Sequence, residues 1–315
     1  MKAIFWTRHE VGKIERSDWR ETNLARAVQA GAKVHGDTVE IMEVPDDGVP
    51  DVVECDLVLK IGVKSRNWFR KYNEAGIPYC YFDKGYIRTR AVQWMEYWRL
   101  SVNGHQPLDY VIHAKHDSDR AKRLNLSFLP WRKGGTHILV DGSSGKHHYF
   151  HADRDYSNEQ MGELHEDANQ IAFNLVQRIR AVSELPIVYR PKPSWKFARA
   201  IPGTEYARGR QGVGDKEFKY DLNRAHVCVT YESNLCFDAA LFGVPNIVLG
   251  HGIAGPISSK HLTELETPRL ASNDERQQWL NNVAWTQFHA LDEYTSGMAW
   301  KVIRDMVDCT PIRGV

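Results

Sequence analysis

Long apolar runs are missing from this 315-residue chain. The most apolar stretch, Val52-Val53 followed by residues 57–63, is broken by Glu54, Asp56 and Lys60, well short of the roughly 20 apolar residues a membrane span needs. The amino-terminal MKAIFWTRHEVGK runs at once into charge and lacks the apolar segment of a secretory signal, so a cytoplasmic location is expected. Cysteine is sparse. Cys55, Cys80, Cys228, Cys236 and Cys309 stand singly, with no C-x-x-C pair and no histidine at zinc-finger spacing, which predicts reduced core thiols rather than a disulfide framework or zinc module. No nucleophile elbow, no H-E-x-x-H and no complete Walker motif occurs, which turns the reading away from hydrolases and kinases. Charge of one sign is not in excess either, with 41 Lys plus Arg against 40 Asp plus Glu.

The distribution of that charge is uneven. Residues 60–134 carry fifteen basic and six acidic side chains, a local +9 against −8 elsewhere. The same stretch holds Trp68, Phe69, Tyr72, Tyr79, Tyr81, Phe82, Tyr86, Trp94, Tyr97, Trp98 and Trp131. Cations interleaved with stacking rings suit a polyanion with exposed bases. The alternative is a solvated basic face over a tryptophan-rich core.

Strand and helix signals alternate along the chain. A strand over 2–7 leads to a helix that Ser17 caps and Gly31 closes; β-rich segments at 38–44, 56–63 and 77–82 follow, with a helical stretch at 67–75. The pattern loosens between 101 and 135, around Pro107, Pro130 and Gly134-Gly135, then restarts: a strand at 137–141, a long helix at 158–182, strands at 186–189, 226–230 and 246–249, and a helix at 235–242. This alternation predicts an α/β protein of two domains, each a parallel sheet covered by helices, with functional loops at the carboxyl ends of the strands. Boundaries are expected at 1–134, 135–270 and 271–315, the last a helical segment whose Trp279, Leu280, Val283, Trp285, Phe288 and Leu291 pack back on the first domain.

The most specific segment is HVCVTYESNLCFDAALFGVPNIVLG, residues 226–250. A buried strand runs into Glu232-Ser233-Asn234, where Ser or Asn can cap the next helix. Free amides there favour a phosphate, and Asp238, one turn in, can accept hydrogen bonds from a ribose; an ordinary capped helix is the alternative. Residues 229–249 resemble the donor-binding half of GT-B glycosyltransferases, "T-x-x-S-x-x-x-x-E/D-A-x-x-x-G-x-P-x-I", with Ser233, Asp238, Ala239, Gly243, Pro245 and Ile247 in those places. Within that group the chain is most similar to the capsule-type branch of Kdo and glycerophosphate transferases, in which a basic strand end precedes the motif, here Tyr189-Arg190-Pro191-Lys192-Pro193. Asp stands where many members have Glu, and Lys192 where that branch shows His. The resemblance implies two Rossmann-like domains facing a cleft, the second holding a nucleotide-activated sugar as co-substrate, the first an acceptor, with no metal required.

Arg190 and Lys192 are suited to donor phosphates through charge-assisted bonds, and a solvated pair beside prolines is their alternative. Gly142-Ser143-Ser144-Gly145-Lys146 is too short for a Walker loop and has His147 where Ser or Thr belongs, but its amides can approach phosphates. His147-His148 with His151 and Asp153 is a poor metal set, because consecutive residues of an extended segment face opposite ways. In the first domain, Asp83 and His9 are the candidate bases of an inverting transfer, and Lys84 can steady an anionic acceptor or leaving group. Lys64, Arg66, Arg88 and Arg90 are the expected acceptor contacts. With the +9 segment, the chain is similar to bacteriophage enzymes that glycosylate hydroxymethylated pyrimidines in DNA, in the host cytoplasm. A surface polysaccharide or lipid-linked glycan is the alternative acceptor. A non-catalytic nucleic-acid binder on a GT-B frame is the alternative from another class.

Overall fold

The structure, a computed structural model, describes residues 1–7, 18–44, 51–62, 66–87, 97–145, 161–192, 195–207, 221–289 and 292–312. It divides into two compact units, Met1–His116 with Asn282–Val315, and Asp117–Asn281.

The first unit contains β1 (Lys2–Thr7), α1 (Asp18–Val34), β2 (Thr38–Glu43), β3 (Leu57–Ile61), α2 (Arg66–Glu74), β4 (Tyr79–Lys84), β5 (Tyr97–Val102) and α3 (Leu108–His113). With β11 (Gln287–His289) from the tail, its six-stranded sheet runs β11-β5-β4-β3-β1-β2. β2, β1, β3 and β4 are mutually parallel, and β5 is antiparallel to β4. Consecutive buried residues such as Ala3, Ile4, Phe5 and Trp6, or Leu57, Val58 and Leu59, mark strands covered on both faces. On one face Leu24, Ala25 and Val28 of α1 join Phe5, Leu59, Phe82, Tyr294, Trp300, Ile303 and Met306 in a single core.

The second unit contains α4 (Asp119–Arg123), β6 (His137–Gly142), α5 (Met161–Arg180), β7 (Ile187–Pro191), β8 (Glu205–Tyr206), β9 (Ala225–Thr230), α6 (Leu235–Leu241) and β10 (Asn246–Val248). Its sheet, β10-β9-β6-β7-β8, is parallel throughout. Alternate residues face two layers: Ile138, Val140, Val227 and Val229 meet Leu175, Val176 and Ile179 of α5, while Leu139, Val188 and Cys228 meet Leu235, Ala239 and Val244. From β6 the chain builds outward through β7 and β8, then returns to the opposite side of β6 with β9 and β10. The strand order therefore reverses between β6 and β9.

Two Rossmann-like α/β units were expected and are found, with the division shifted. The expected boundary near 134 becomes 116/117, and that at 270/271 becomes 281/282, inside α7 (Asn273–Ala284). Residues 128–136 are bound into the second unit by Leu129 N to Leu241 O, Arg132 N to Gly243 O, the Arg132 guanidinium to Leu222 O and Ala225 O, and Trp131 Nε1 to Ala271 O. Loose sequence pattern marked this segment, but these bonds decide its allegiance. Trp279 likewise belongs to the second unit, donating its indole N–H to Ile253 O at 2.9 Å. The tail does return to the first unit through Trp285, Phe288, α8 (Asp292–Thr295) and α9 (Met298–Cys309). It is not wholly helical: β11 (Gln287–His289) pairs antiparallel with β5 as an edge strand. Among the described residues no helix is long and apolar enough to cross a membrane.

Candidate functional site

The carboxyl ends of β6, β7, β9 and β10 gather most of the residues singled out by sequence in the second unit. β6 ends at Asp141-Gly142, both buried. A β-carbon on Gly142 would lie 2.5 Å from the Tyr189 hydroxyl and 2.8 Å from its ring, so β7 packs against bare backbone here and only glycine fits. Tyr189 is fully buried, and its phenol has no hydrogen-bond partner among the described residues. Ser143 is half-buried and Ser144 buried in the loop that follows.

In register, Asp141 faces Arg190 and Gly142 faces Pro191. Arg190 is largely committed within the protein: its guanidinium donates to Asp221, with the two side chains only 11% and 4% exposed. Lys192, just past β7, is exposed. At the end of β9, Thr230 Oγ1 accepts from Ser233 N at 3.3 Å and Ser233 Oγ accepts from Leu235 N at 3.2 Å. Ser233 thus satisfies the opening of α6, and Asn234, at the N-cap position, makes no side-chain capping bond. α6 has seven residues, with Asp238 half-buried in its first turn.

His251, absent from the sequence motif, also stands at this edge. After β10 comes Gly250-His251-Gly252-Ile253-Ala254-Gly255, three glycines in six residues directly behind a predicted strand, which was the available signal. The loop lies against the end of β9. A β-carbon on Gly250 would be 3.1 Å from Tyr231 O, and one on Gly252 would be 3.0 Å from Val248 and 3.2 Å from Cys236. Gly252 N donates to Tyr231 O. Glu232, predicted as a loop residue at a phosphate, instead has its carboxylate buried at 3% exposure, where it accepts from both the backbone N–H and the Nδ1 of His251 at 3.2 Å. The His251 side chain is 63% exposed.

In the first unit, Asp83 and Lys84 close β4. Asp83 accepts from Tyr81 Oη at 2.9 Å and from Lys84 N at 2.7 Å, and pairs with Arg99 at 3.2 Å. Arg99 is buried and also donates to Gln106 and, at 3.3 Å, to Tyr86 Oη, while His105 Nε2 lies 3.3 Å away. Burial acts to raise the Asp83 pKa, but the Arg99 and His105 charges with the two hydrogen bonds outweigh it and hold the carboxyl below its ordinary range. Lys84 is exposed. His9, Lys64, Arg88 and Arg90, like His147, His148, His151 and Asp153, lie outside the described residues, and Arg66 is the first residue of α2.

The aromatic signal of the basic segment has a different meaning in three dimensions. Trp68, Phe69, Tyr72, Tyr79, Tyr81, Phe82 and Tyr86 are buried, stacked on one another as in the Phe69 and Tyr79 pair at 4.1 Å. Lys60, Arg99 and Arg120, counted among the cations, are buried as well. These seven rings form core and cannot serve as a platform for bases: those of α2 pack onto the sheet, and those of β4 lie in a strand covered on both faces. Cys80, Cys228 and Cys236 are buried as expected, and desolvation pushes the Cys236 thiol up to about 12; Cys55 is half-buried and Cys309 exposed.

No family model matches the chain, and no curated protein matches it. Among solved structures it is similar to the β-Kdo 2,7 transferase of Thermosulfurimonas dismutans KpsC, at 12% identity over 96% of this chain and 100% of that one, with a TM-score of 0.48. The β-Kdo 2,4 transferase of the same KpsC is similar at 12% identity over 96% and 97%, with a TM-score of 0.49. UDP-GlcNAc 2-epimerase from Neisseria meningitidis, bound to UDP-GlcNAc, is similar at 11% identity over 98% and 99%, with a TM-score of 0.30.

Proposed function

We propose that the chain is a GT-B-type glycosyltransferase whose second unit holds a nucleotide-activated sugar and whose first unit holds a hydroxyl acceptor. The observation that carries this reading is topological. Gly142, Ser143 and Ser144 at the end of β6 and Glu232, Ser233, Asn234 and Asp238 after β9 flank the place where the strand order reverses. In open parallel sheets, that crevice at the carboxyl ends is where nucleotides bind. The motif over 229–249, with its glycosyltransferase resemblance, narrows the nucleotide to a sugar donor. Lys192 is the exposed cation of the strand-end pair, and Arg190, neutralised by Asp221, orders the strand end rather than reaching for phosphate.

The acceptor is a saccharide hydroxyl in this reading. DNA drew its support from stacking rings, and Trp68, Phe69, Tyr72, Tyr79, Tyr81, Phe82 and Tyr86 are in the core. Lys84, exposed at the end of β4, suits an anionic acceptor or leaving group. Asp83, kept ionised by Arg99, orients a hydroxyl as hydrogen-bond acceptor better than it removes a proton, because a general base works best with a pKa near the working pH.

Thermal melting against a panel of nucleoside monophosphate and diphosphate sugars tests the donor half. A true donor at about 100 times its Kd stabilises by about 2.7 kcal/mol, which is several degrees in melting temperature. Lys192→Ala and Asp238→Ala should remove that shift, and wild-type shifts in both would show the donor site misplaced. Arg190→Ala is a poor probe, since it strands the buried Asp221 carboxylate. Product mass spectrometry with saccharides and with unmodified and hydroxymethylated DNA decides the acceptor.

A further inference from the structure

A buried carboxylate costs several kcal/mol unless it is paired, and the groups on Glu232 include a ring that is mostly in solvent. An exposed histidine that can turn to water is an inefficient partner if stability is the only purpose. The loop nonetheless fastens it twice, through the His251 amide and through Nδ1. The glycines on either side let the backbone close onto Tyr231, Val248 and Cys236, leaving the ring as the outward group between them. Carboxylates placed against one ring nitrogen fix the tautomer and orientation of a histidine that uses its other nitrogen on a ligand. Lys260 reaches the same loop, its Nζ 2.7 Å from where a Gly255 β-carbon would stand.

We propose that His251, oriented by Glu232, is a phosphate-binding residue of the second unit that contacts the phosphate leaving with the nucleotide, with Glu232 as its positioning residue. The proposal rests on the sugar-nucleotide reading above and names a contact that the sequence motif did not contain. The chemistry asked of the ring is modest. With Nδ1–H directed at Glu232, an imidazolium presents Nε2–H to a phosphate oxygen, a charge-assisted bond that strengthens as negative charge collects on the departing phosphate.

Isothermal calorimetry with inorganic pyrophosphate, nucleoside diphosphates and monophosphates, and the corresponding nucleosides provides the test. The wild-type chain should bind at least one phosphorylated probe saturably. His251→Ala and His251→Gln should weaken that probe by about tenfold or more while leaving nucleoside binding in place; the His251 backbone N–H still donates to Glu232 in both, and any fall in melting temperature should be smaller for His251→Gln, whose amide can replace the ring donor. Glu232→Gln, which keeps an acceptor for the ring without its charge, should weaken the same probe by a smaller factor, and Glu232→Ala by a larger one. A purely structural role for the pair would move melting and leave the phosphate selectivity untouched. If both His251 variants bind phosphorylated probes within twofold of wild type, the assignment to His251 is overturned and the donor reading stands. If the wild-type chain binds none of the phosphorylated probes, the donor reading falls and this proposal falls with it.

Discussion

At the carboxyl end of β3 in the first unit, Lys60 is buried with its ammonium on Trp6 O at 3.0 Å and on Glu21 of α1, and at the end of β4 Arg99 clasps Asp83. At the corresponding ends of β6 and β10 in the second unit stand Gly142 and the 250–255 loop, with bare backbone and one exposed histidine. At the first edge Lys60 and Arg99 are spent on the protein's own carboxylates. A cation sealed against its own carboxylate holds helix to sheet but has little left to offer a ligand, whereas packed glycine backbone leaves amides and space. Charge counted along a sequence therefore says less about binding than the exposure of each cation does. The +9 segment is a case in point, since Lys60, Arg99 and Arg120 contribute to the sum and none reaches the surface.

Breaking the internal pair should have the largest effect. Lys60→Ala strands Glu21 and opens a cavity beside Trp6 and Trp68, and should cost about 3 to 5 kcal/mol in urea unfolding, while Lys60→Met combined with Glu21→Leu should recover most of it. A loss under about 1 kcal/mol would show that this edge is not held by its charges. In the second unit Gly142→Ala forces the Tyr189 phenol away and should cost about 1 to 3 kcal/mol, together with loss of the donor-induced melting shift. Retained donor binding in that variant would mean that the 142–145 backbone does not approach the phosphate.

The smallest effect sharpens the contrast by pH. The Asp83 pKa is lower folded than unfolded, so its stabilisation is complete above the unfolded value of about 3.9 and is lost as pH falls through the folded one. With its side chain 37% exposed, the screened contribution is small. Asp83→Asn should therefore trail wild type by about 1 kcal/mol or less, evenly from pH 5 to 9, with the gap closing below about pH 4. A gap that widens toward acid would contradict the Arg99 pairing.

Most of the architecture was legible because strand runs such as IFW, LVLK and YCYF and the amphipathic 161–180 helix carry their period in the chain. β11 and the residues 128–136 were not, since three-residue edge strands and extended segments acquire their identity from partners distant in sequence. At the candidate site, the capping role of Ser233 could be anticipated from local chemistry, whereas the need for glycine at 142 comes from Tyr189 on the neighbouring strand. Arg190 could not be told from a phosphate ligand, because Asp221 stands thirty-one residues away in the chain. Glu232 was marked for a polar loop mouth, and its burial beneath His251 depends on a fold that brings the end of β9 to the loop after β10.

Local pattern alone established the α/β class, the existence of two sheet-forming halves and the strand–turn–helix form of the 226–250 segment, since hydrophobic period and turn chemistry act between near neighbours. Which charges are spent inside and which face outward was settled by folding, because pairing and desolvation depend on groups that meet only when strands are laid side by side. That sorting put Lys60, Arg99, Arg120 and seven rings of the basic segment into the core and left a glycine-flanked histidine at the open edge.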